Sequence, residues 1–191
     1  MSIAFTGLPA HAHVVVRPAE IGAAAFQTFT IGVPVERDLP TMSIRLLIPE
    51  GLRHVTPNVK PGWTISTKKE GAGEDTRVTE VAWTGGTIPA GQRDDFLFSA
   101  QAPAEETSLQ WKAYQTYGDG SVVAWDLDPA TTKDQKDFST NGPSSITRVL
   151  NDVQEAGGET GKDRMARILG GIALVVSVLT FLTAGRRRQQ T

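Results

Sequence analysis

An antiparallel, all-β sandwich is the fold class this sequence predicts, and three observations carry the expectation. Segments rich in Val, Ile, Thr and aromatic residues recur about every ten residues, turn residues separate them, and no convincing helical pattern precedes residue 144. In chain order the candidate strands are HVVVR (13–17), FQTFTIGV (26–33), SIRLLI (43–48), WTIST (63–67), RVTEVAW (77–83), DFLFSA (95–100), LQWKAYQTY (109–117) and SVVAW (121–125). Pro61-Gly62, Gly71-Ala72-Gly73, Gly85-Gly86 and Gly118-Asp119-Gly120 punctuate them. Tyr117 to Ser121 reads as a hairpin tip, because glycine supplies the positive φ that tight hairpin turns need. These segments amount to seven or eight strands in a domain spanning residues 13–128.

The flanks read differently. Residues 129–167 are dominated by Asp, Lys, Thr, Ser, Gly and Gln, which predicts a polar linker. Within it, Ile146, Val149, Leu150 and Val153 have helical spacing, so a marginal amphipathic helix is expected there. Residues 168–185, ILGGIALVVSVLTFLTAG, carry no charge. As a helix they would reach roughly 27 Å, close to the hydrocarbon thickness of a bilayer. Arg186, Arg187 and Arg188 follow, in a tail of residues 186–191, so the expectation is a C-terminal transmembrane helix. Residues 1–12 are mildly apolar and end on Ala10-His11-Ala12, the small-x-small form of a signal-peptidase site. They read as an incomplete signal peptide. Export of the β domain would leave the arginine tail in the cytoplasm.

Composition narrows the chemistry. The chain has no cysteine, which removes disulfides, zinc–thiolate sites, iron–sulfur clusters and thiol nucleophiles. A net charge of −2 leaves no electrostatic footprint for nucleic acid. No phosphate loop, G-x-S-x-G, H-E-x-x-H or EF-hand loop occurs, and the adjacent pairs Asp94-Asp95 and Glu105-Glu106 would point to opposite faces of a strand. An enzyme of the common hydrolase or transferase kinds is not expected. One arrangement survives. Cleavage after Ala12 would make His13 the first residue, offering its α-amine and its own Nδ1 to one metal. That amine has an unperturbed pKa of about 7.7–8.0, so a metal can displace its proton near neutrality. Nitrogen donors suit Cu(II), which tops the divalent affinity order, whereas the thiols and methionine clusters that Cu(I) prefers are absent.

Five collinear segments carry a resemblance. HVVVRP after the Ala-x-Ala site, VPVERDLPT (33–41), VTPNVKPGW (55–63), VAWTGGTIPAGQRDDFLF (81–98) and LQWKAYQTYGDGSVVAW (109–125) together resemble the YcnI-like family of exported, membrane-tethered bacterial copper proteins. The resemblance implies an immunoglobulin- or cupredoxin-like sandwich with a Cu(II) site called a monohistidine brace. It further implies a role as a metallochaperone in copper homeostasis or delivery, with a membrane copper transporter or a copper-receiving protein as partner. Carried over by position, the brace falls on His13, Asp95 and Trp125. The histidine and tryptophan match. Aspartate stands where the family has glutamate, one methylene shorter, and Asp94 should be turned away by the pleat.

Each residue also has a plainer interpretation. His13 is otherwise a lone histidine ahead of a first strand. Trp63, Trp83 and Trp111 read as core or sheet-surface aromatics, and Trp125 would join them without the resemblance. A neutral indole donates a hydrogen bond but offers no good lone pair, so Trp125 is expected to shield the metal rather than ligate it strongly. His54 reads as a solvated loop residue. Two other classes remain open: a metal-free adhesion or scaffold sandwich, and a copper-dependent oxidative enzyme whose brace closes with a second histidine, for which His54 is the only candidate.

Overall fold

Strand alternation builds the core. In a computed structural model, which describes residues 13–132 and 138–151, the eight segments read from the sequence all form strands. They are β1 (Val15–Arg17), β3 (Phe26–Pro34), β4 (Thr41–Leu47), β6 (Thr64–Glu70), β7 (Arg77–Ile88), β8 (Arg93–Gln101), β9 (Thr107–Tyr117) and β10 (Val122–Leu127). Four more join them: β2 (Glu20–Gly22), β5 (Arg53–Pro57), β11 (Asn141–Pro143) and β12 (Ser145–Leu150).

One sheet runs β1-β3-β8-β5; the larger runs β11-β10-β9-β4-β7-β6, with β12 pairing β9 and β2. Every second residue of the central strands points inward. Phe29, Ile31 and Val33 of β3 and Phe96, Phe98 and Ala100 of β8 meet Ile44, Leu46, Val81, Trp83, Leu109 and Trp111 of the facing sheet, all buried. Full burial of an aliphatic or phenyl side chain contributes about 1.5–3 kcal/mol, so this double layer supplies most of the driving force for folding. Aromatic edges interlock within it: Trp111 lies 5.1 Å from Phe29 and 5.6 Å from Phe98, centre to centre.

Four expectations are corrected. The linker does not start at residue 129, because residues 141–150 are β11 and β12 and belong to the sandwich. The stretch Ile146 to Leu150 is strand rather than helix. Its isolated periodicity suits either, and pairing decides: β12 lies antiparallel to β9 and parallel to β2. There Thr147 is fully buried, accepts the Trp111 indole N–H at 3.0 Å and donates to the Pro18 carbonyl at 2.7 Å. The sandwich is also mixed rather than purely antiparallel, since β10–β11 and β12–β2 pair in parallel. Finally, His54 stands in edge strand β5 with a φ of 53°, exposed and stacked on Phe26, and not in a loop.

The proposed signal segment 1–12 and apolar span 168–185 lie outside the described residues. Among the described residues no helix is long and apolar enough to cross a membrane.

Candidate metal centre

His13 sits just ahead of β1, at the seam where the edge of the smaller sheet approaches β10 and β11 of the larger. Its imidazole is walled by two aromatic rings. Trp125 stands 5.6 Å away and Phe138 4.7 Å away, centre to centre, both with an edge-on geometry. The Nε2 atom of the ring is buried. A chelate formed by an α-amine and the imidazole of the same residue uses Nδ1, since the short side chain cannot bring Nε2 round to the amine. The burial of Nε2 therefore agrees with the nitrogen that such a chelate would leave inside.

Trp125 occupies an inward position of β10 and is buried. Its indole N–H donates to the Gln115 side-chain oxygen at 3.2 Å. Behind the ring lies Gly142 of β11, paired in register with Trp125. A Cβ at Gly142 would stand 2.5 and 2.6 Å from the six-membered ring of the indole and 3.2 Å from the Phe138 ring. Glycine is there because nothing larger fits between the two walls.

The segment carrying Phe138 is fastened by Arg37. Its guanidinium lies 4.5 Å above the Tyr117 ring, donates to the Ser121 hydroxyl at 2.8 Å and also donates to the Ser139 carbonyl. The hairpin tip expected at Tyr117 to Ser121 is present, with Gly120 at φ 82°. The Asp119 carboxylate accepts from the Ser121 hydroxyl and backbone N–H, and these hydrogen bonds hold its carboxyl below the ordinary range. Burial pushes the Tyr117 phenol up, against the opposing pull of Arg37.

Asp95 is not in contact with His13. It lies on β8, two strands from β1 across β3 and thus about 10 Å away between backbones. It alternates with buried Phe96, which puts its carboxylate on the outward face, where Arg93 pairs with it at 2.6 Å. The register places a glycine between it and β1. Gly32 of β3 is paired with Asp95 on one side and with Val15 of β1 on the other. A Cβ at Gly32 would meet Arg93 Nη2 at 2.9 Å, Asp95 Oδ1 at 3.4 Å and the Val15 carbonyl at 3.8 Å. The missing side chain leaves room over β3 that the Arg93–Asp95 ion pair borders. Asp94 is occupied elsewhere, accepting from Lys60 at 2.5 Å and from the Asp95 backbone N–H at 2.8 Å.

His54 cannot share a metal with His13. Their strands are the opposite edges of the smaller sheet, and they sit at opposite ends of it. Arg53 pairs with Gln101 at the finish of β8, whereas Arg93 at its start pairs with Pro34, beside the β1 entry. Along β8 alone that is roughly 26 Å. Among the described residues no group of three or more His, Asp or Glu side chains is gathered to hold a metal. A metal at His13 consequently needs a donor outside that set, and the α-amine is one.

Sequence reasoning did not find Phe138, Gln115 or Gly142. The alternation of β9 contained a readable signal: Leu109, Trp111, Ala113, Gln115 and Tyr117 all face inward, and glutamine is the only polar member of that row. Phe138 and Gly142 gave no such signal, standing in a polar stretch without alternation.

The comparisons with known proteins agree with this architecture. Residues 13–145 match the family described as a domain of unknown function, DUF1775. The chain is 33% identical over 201 residues to the Bacillus subtilis (strain 168) protein named copper-binding protein CutI, covering 97% of this chain and 92% of that one. A solved structure from Nocardia farcinica, described as an uncharacterized protein with an immunoglobulin-like fold, superposes with a TM-score of 0.60 at 24% identity. It covers 72% of this chain and 98% of that one, and speaks for the fold alone. With one family model spanning most of the sandwich and a relative matched almost end to end, the chain belongs to the YcnI-like, DUF1775 family.

Proposed function

We propose that this protein is an extracytoplasmic, membrane-tethered Cu(II)-binding protein that carries copper rather than catalysing a reaction. The observation that carries the reading is the seat of His13: an imidazole held between Trp125 and Phe138, with Nε2 buried, at the entry to the first strand. The copper-binding relative supports the choice of metal. In this reading cleavage after Ala12 exposes the α-amine, which joins Nδ1 on the ion. Trp125 shields one side of the metal. Asp95 supplies the anionic donor, leaving Arg93 and reaching over Gly32, with a water bridging the distance that the shorter side chain does not cover. Cu(II) on two neutral nitrogens carries a net positive charge, so a nearby carboxylate is favoured electrostatically. The ion is cargo, bound for homeostasis or delivery to another copper protein or a membrane copper transporter. Residues 168–185 tether the domain outside the cytoplasmic membrane, with the arginine tail inside.

Two measurements test this. Cu(II) titration of the chain running from His13 to Thr191, followed by EPR, is expected to give a saturable one-to-one complex. Asp95→Asn keeps the volume and removes the charge. It should weaken binding about tenfold, or about 1.4 kcal/mol, and shift the spectrum. The absence of any complex at micromolar copper would overturn the copper reading in favour of a metal-free scaffold, and an unchanged Asp95→Asn variant would remove Asp95 from the site. For the tether, protease added to intact spheroplasts is expected to digest the β domain. Complete protection would place it in the cytoplasm.

A further inference from the structure

We infer that Gln115 is the positioning residue of this site: it fixes the direction of the Trp125 indole and thereby the wall against which His13 holds its metal. The inference rests on the copper reading above and extends it to a residue that never approaches the ion's own donors.

Gln115 is fully buried. Its amide nitrogen donates to the Pro34 carbonyl at 2.9 Å and to the Thr41 hydroxyl at 2.7 Å. Its oxygen accepts the Trp125 indole N–H at 3.2 Å. The inventory of donors leaves one way to place the amide. A backbone carbonyl only accepts and an indole N–H only donates, so the nitrogen must face Pro34 and the oxygen must face Trp125. Both amide hydrogens are then used. No other side chain of this size offers a double donor at one corner and an acceptor at the other. Glutamate has lost the donors when ionised, and methionine and leucine have neither function.

The three partners belong to different strands. Pro34 ends β3 in the smaller sheet, Thr41 opens β4, and Trp125 lies on β10 beside Gln115's own strand, β9. Gln115 thus references the indole to both sheets at once. By register His13 is the residue beside Pro34, since Val15 pairs with Gly32 across the β1–β3 ladder. The amide is anchored to the same stretch of β3 that flanks His13. It also consumes the only hydrogen-bond donor of the indole. What Trp125 can present to His13 and its metal is the carbon ring, held at a fixed angle, and not N–H. Gln115 therefore reaches the metal's surroundings through Trp125, with its bonds to Pro34 and Thr41 as the anchor, and the dependence on the indole separates this role from fold stabilisation.

A double-mutant cycle exploits that difference. Gln115→Met, Trp125→Phe and the double variant are made in the chain that runs from His13 to Thr191. Each is titrated with Cu(II) and examined by EPR. With Trp125 present, Gln115→Met is expected to weaken Cu(II) binding about fivefold to tenfold and to change the copper hyperfine splitting. In the Trp125→Phe background, which has no indole N–H to hold, the same substitution should change affinity less than about twofold. Equal losses in both backgrounds would make Gln115 a structural residue only, and no loss in either would make the hydrogen bond irrelevant to the site. A metal-free measurement separates this inference from the copper reading. The Trp125 indole ¹H–¹⁵N resonance should be sharp and slow to exchange in the parent protein, and broadened or fast-exchanging in Gln115→Met. An unchanged resonance overturns the positioning role whether or not copper binds. Should Gln115→Met fail to fold, Gln115→Glu keeps the shape and the acceptor while removing the donors to Pro34 and Thr41. It should broaden the same resonance, and a sharp, slow-exchanging one would again overturn the role.

Discussion

Retaining Ala12 in front of His13 is expected to weaken Cu(II) binding at least about a hundredfold, or about 2.8 kcal/mol, while leaving thermal unfolding unchanged. The argument is local. An amine has a lone pair to give a metal; the same nitrogen in a peptide bond shares that pair with the carbonyl and no longer offers it. The extended chain keeps its imidazole between Trp125 and Phe138, but its free amine moves out to Ala12, and the chelate in which His13 supplies both amine and Nδ1 is lost. Stability should not follow, because His13 precedes the first ladder pair, Val15 with Gly32. Affinity in the processed chain should also rise with pH through the range where the amine, with an unperturbed pKa of about 7.7–8.0, releases its proton. Paired titrations at two pH values check both points, and equal affinities would remove the amine from the site. Mass spectrometry of the natural protein settles the cut, since cleavage after Ala10 would leave His11-Ala12-His13 and a different amino-terminal copper site.

The strands that alternation announced were legible because each faces a buried layer on one side only. FQTFTIGV shows Phe29, Ile31 and Val33 on every second position, and the structure buries those three. The missed strands lack that contrast for separate reasons. β2 and β11 are three residues long, too short for a period to register. β5 shows an exposed-heavy pattern and a left-handed residue, His54, at its second position. β12 carries Ile146, Val149 and Leu150, whose spacing suits a helix when read alone. Its inward partner is Thr147, a polar residue whose burial depends on bonds to Trp111 and Pro18 from other strands. Only long-range pairing decides such a segment. The site divides in the same way. Resemblance and position named His13, Asp95 and Trp125, of which the structure brings His13 and Trp125 together, while Phe138 and Gly142 come from the segment that composition labelled a linker.

Gly142→Ala joins the two halves of that lesson in one experiment. The added methyl group would stand 2.5 Å from the Trp125 ring, closer than real side chains approach, and a tight 3.2 Å from Phe138. Neither wall has an easy retreat. Trp125 is buried and tied through its N–H to Gln115, and Phe138 adjoins Ser139, which Arg37 holds. Overpacking of this kind costs about 1–3 kcal/mol, and the double tether puts this site toward the upper end. Relief must come from β11 moving off β10 or from the indole rotating toward His13. The first breaks the parallel ladder of Ala124 with Asn141 and Trp125 with Gly142; the second crowds the imidazole. Denaturant unfolding of Gly142→Ala should therefore show a loss of about 2–3 kcal/mol. Copper titration of the folded fraction should show weaker binding than the parent. A variant as stable as the parent, with unchanged copper affinity, would mean that β11 does not pack behind Trp125 and that the metal centre owes nothing to residues 138–143.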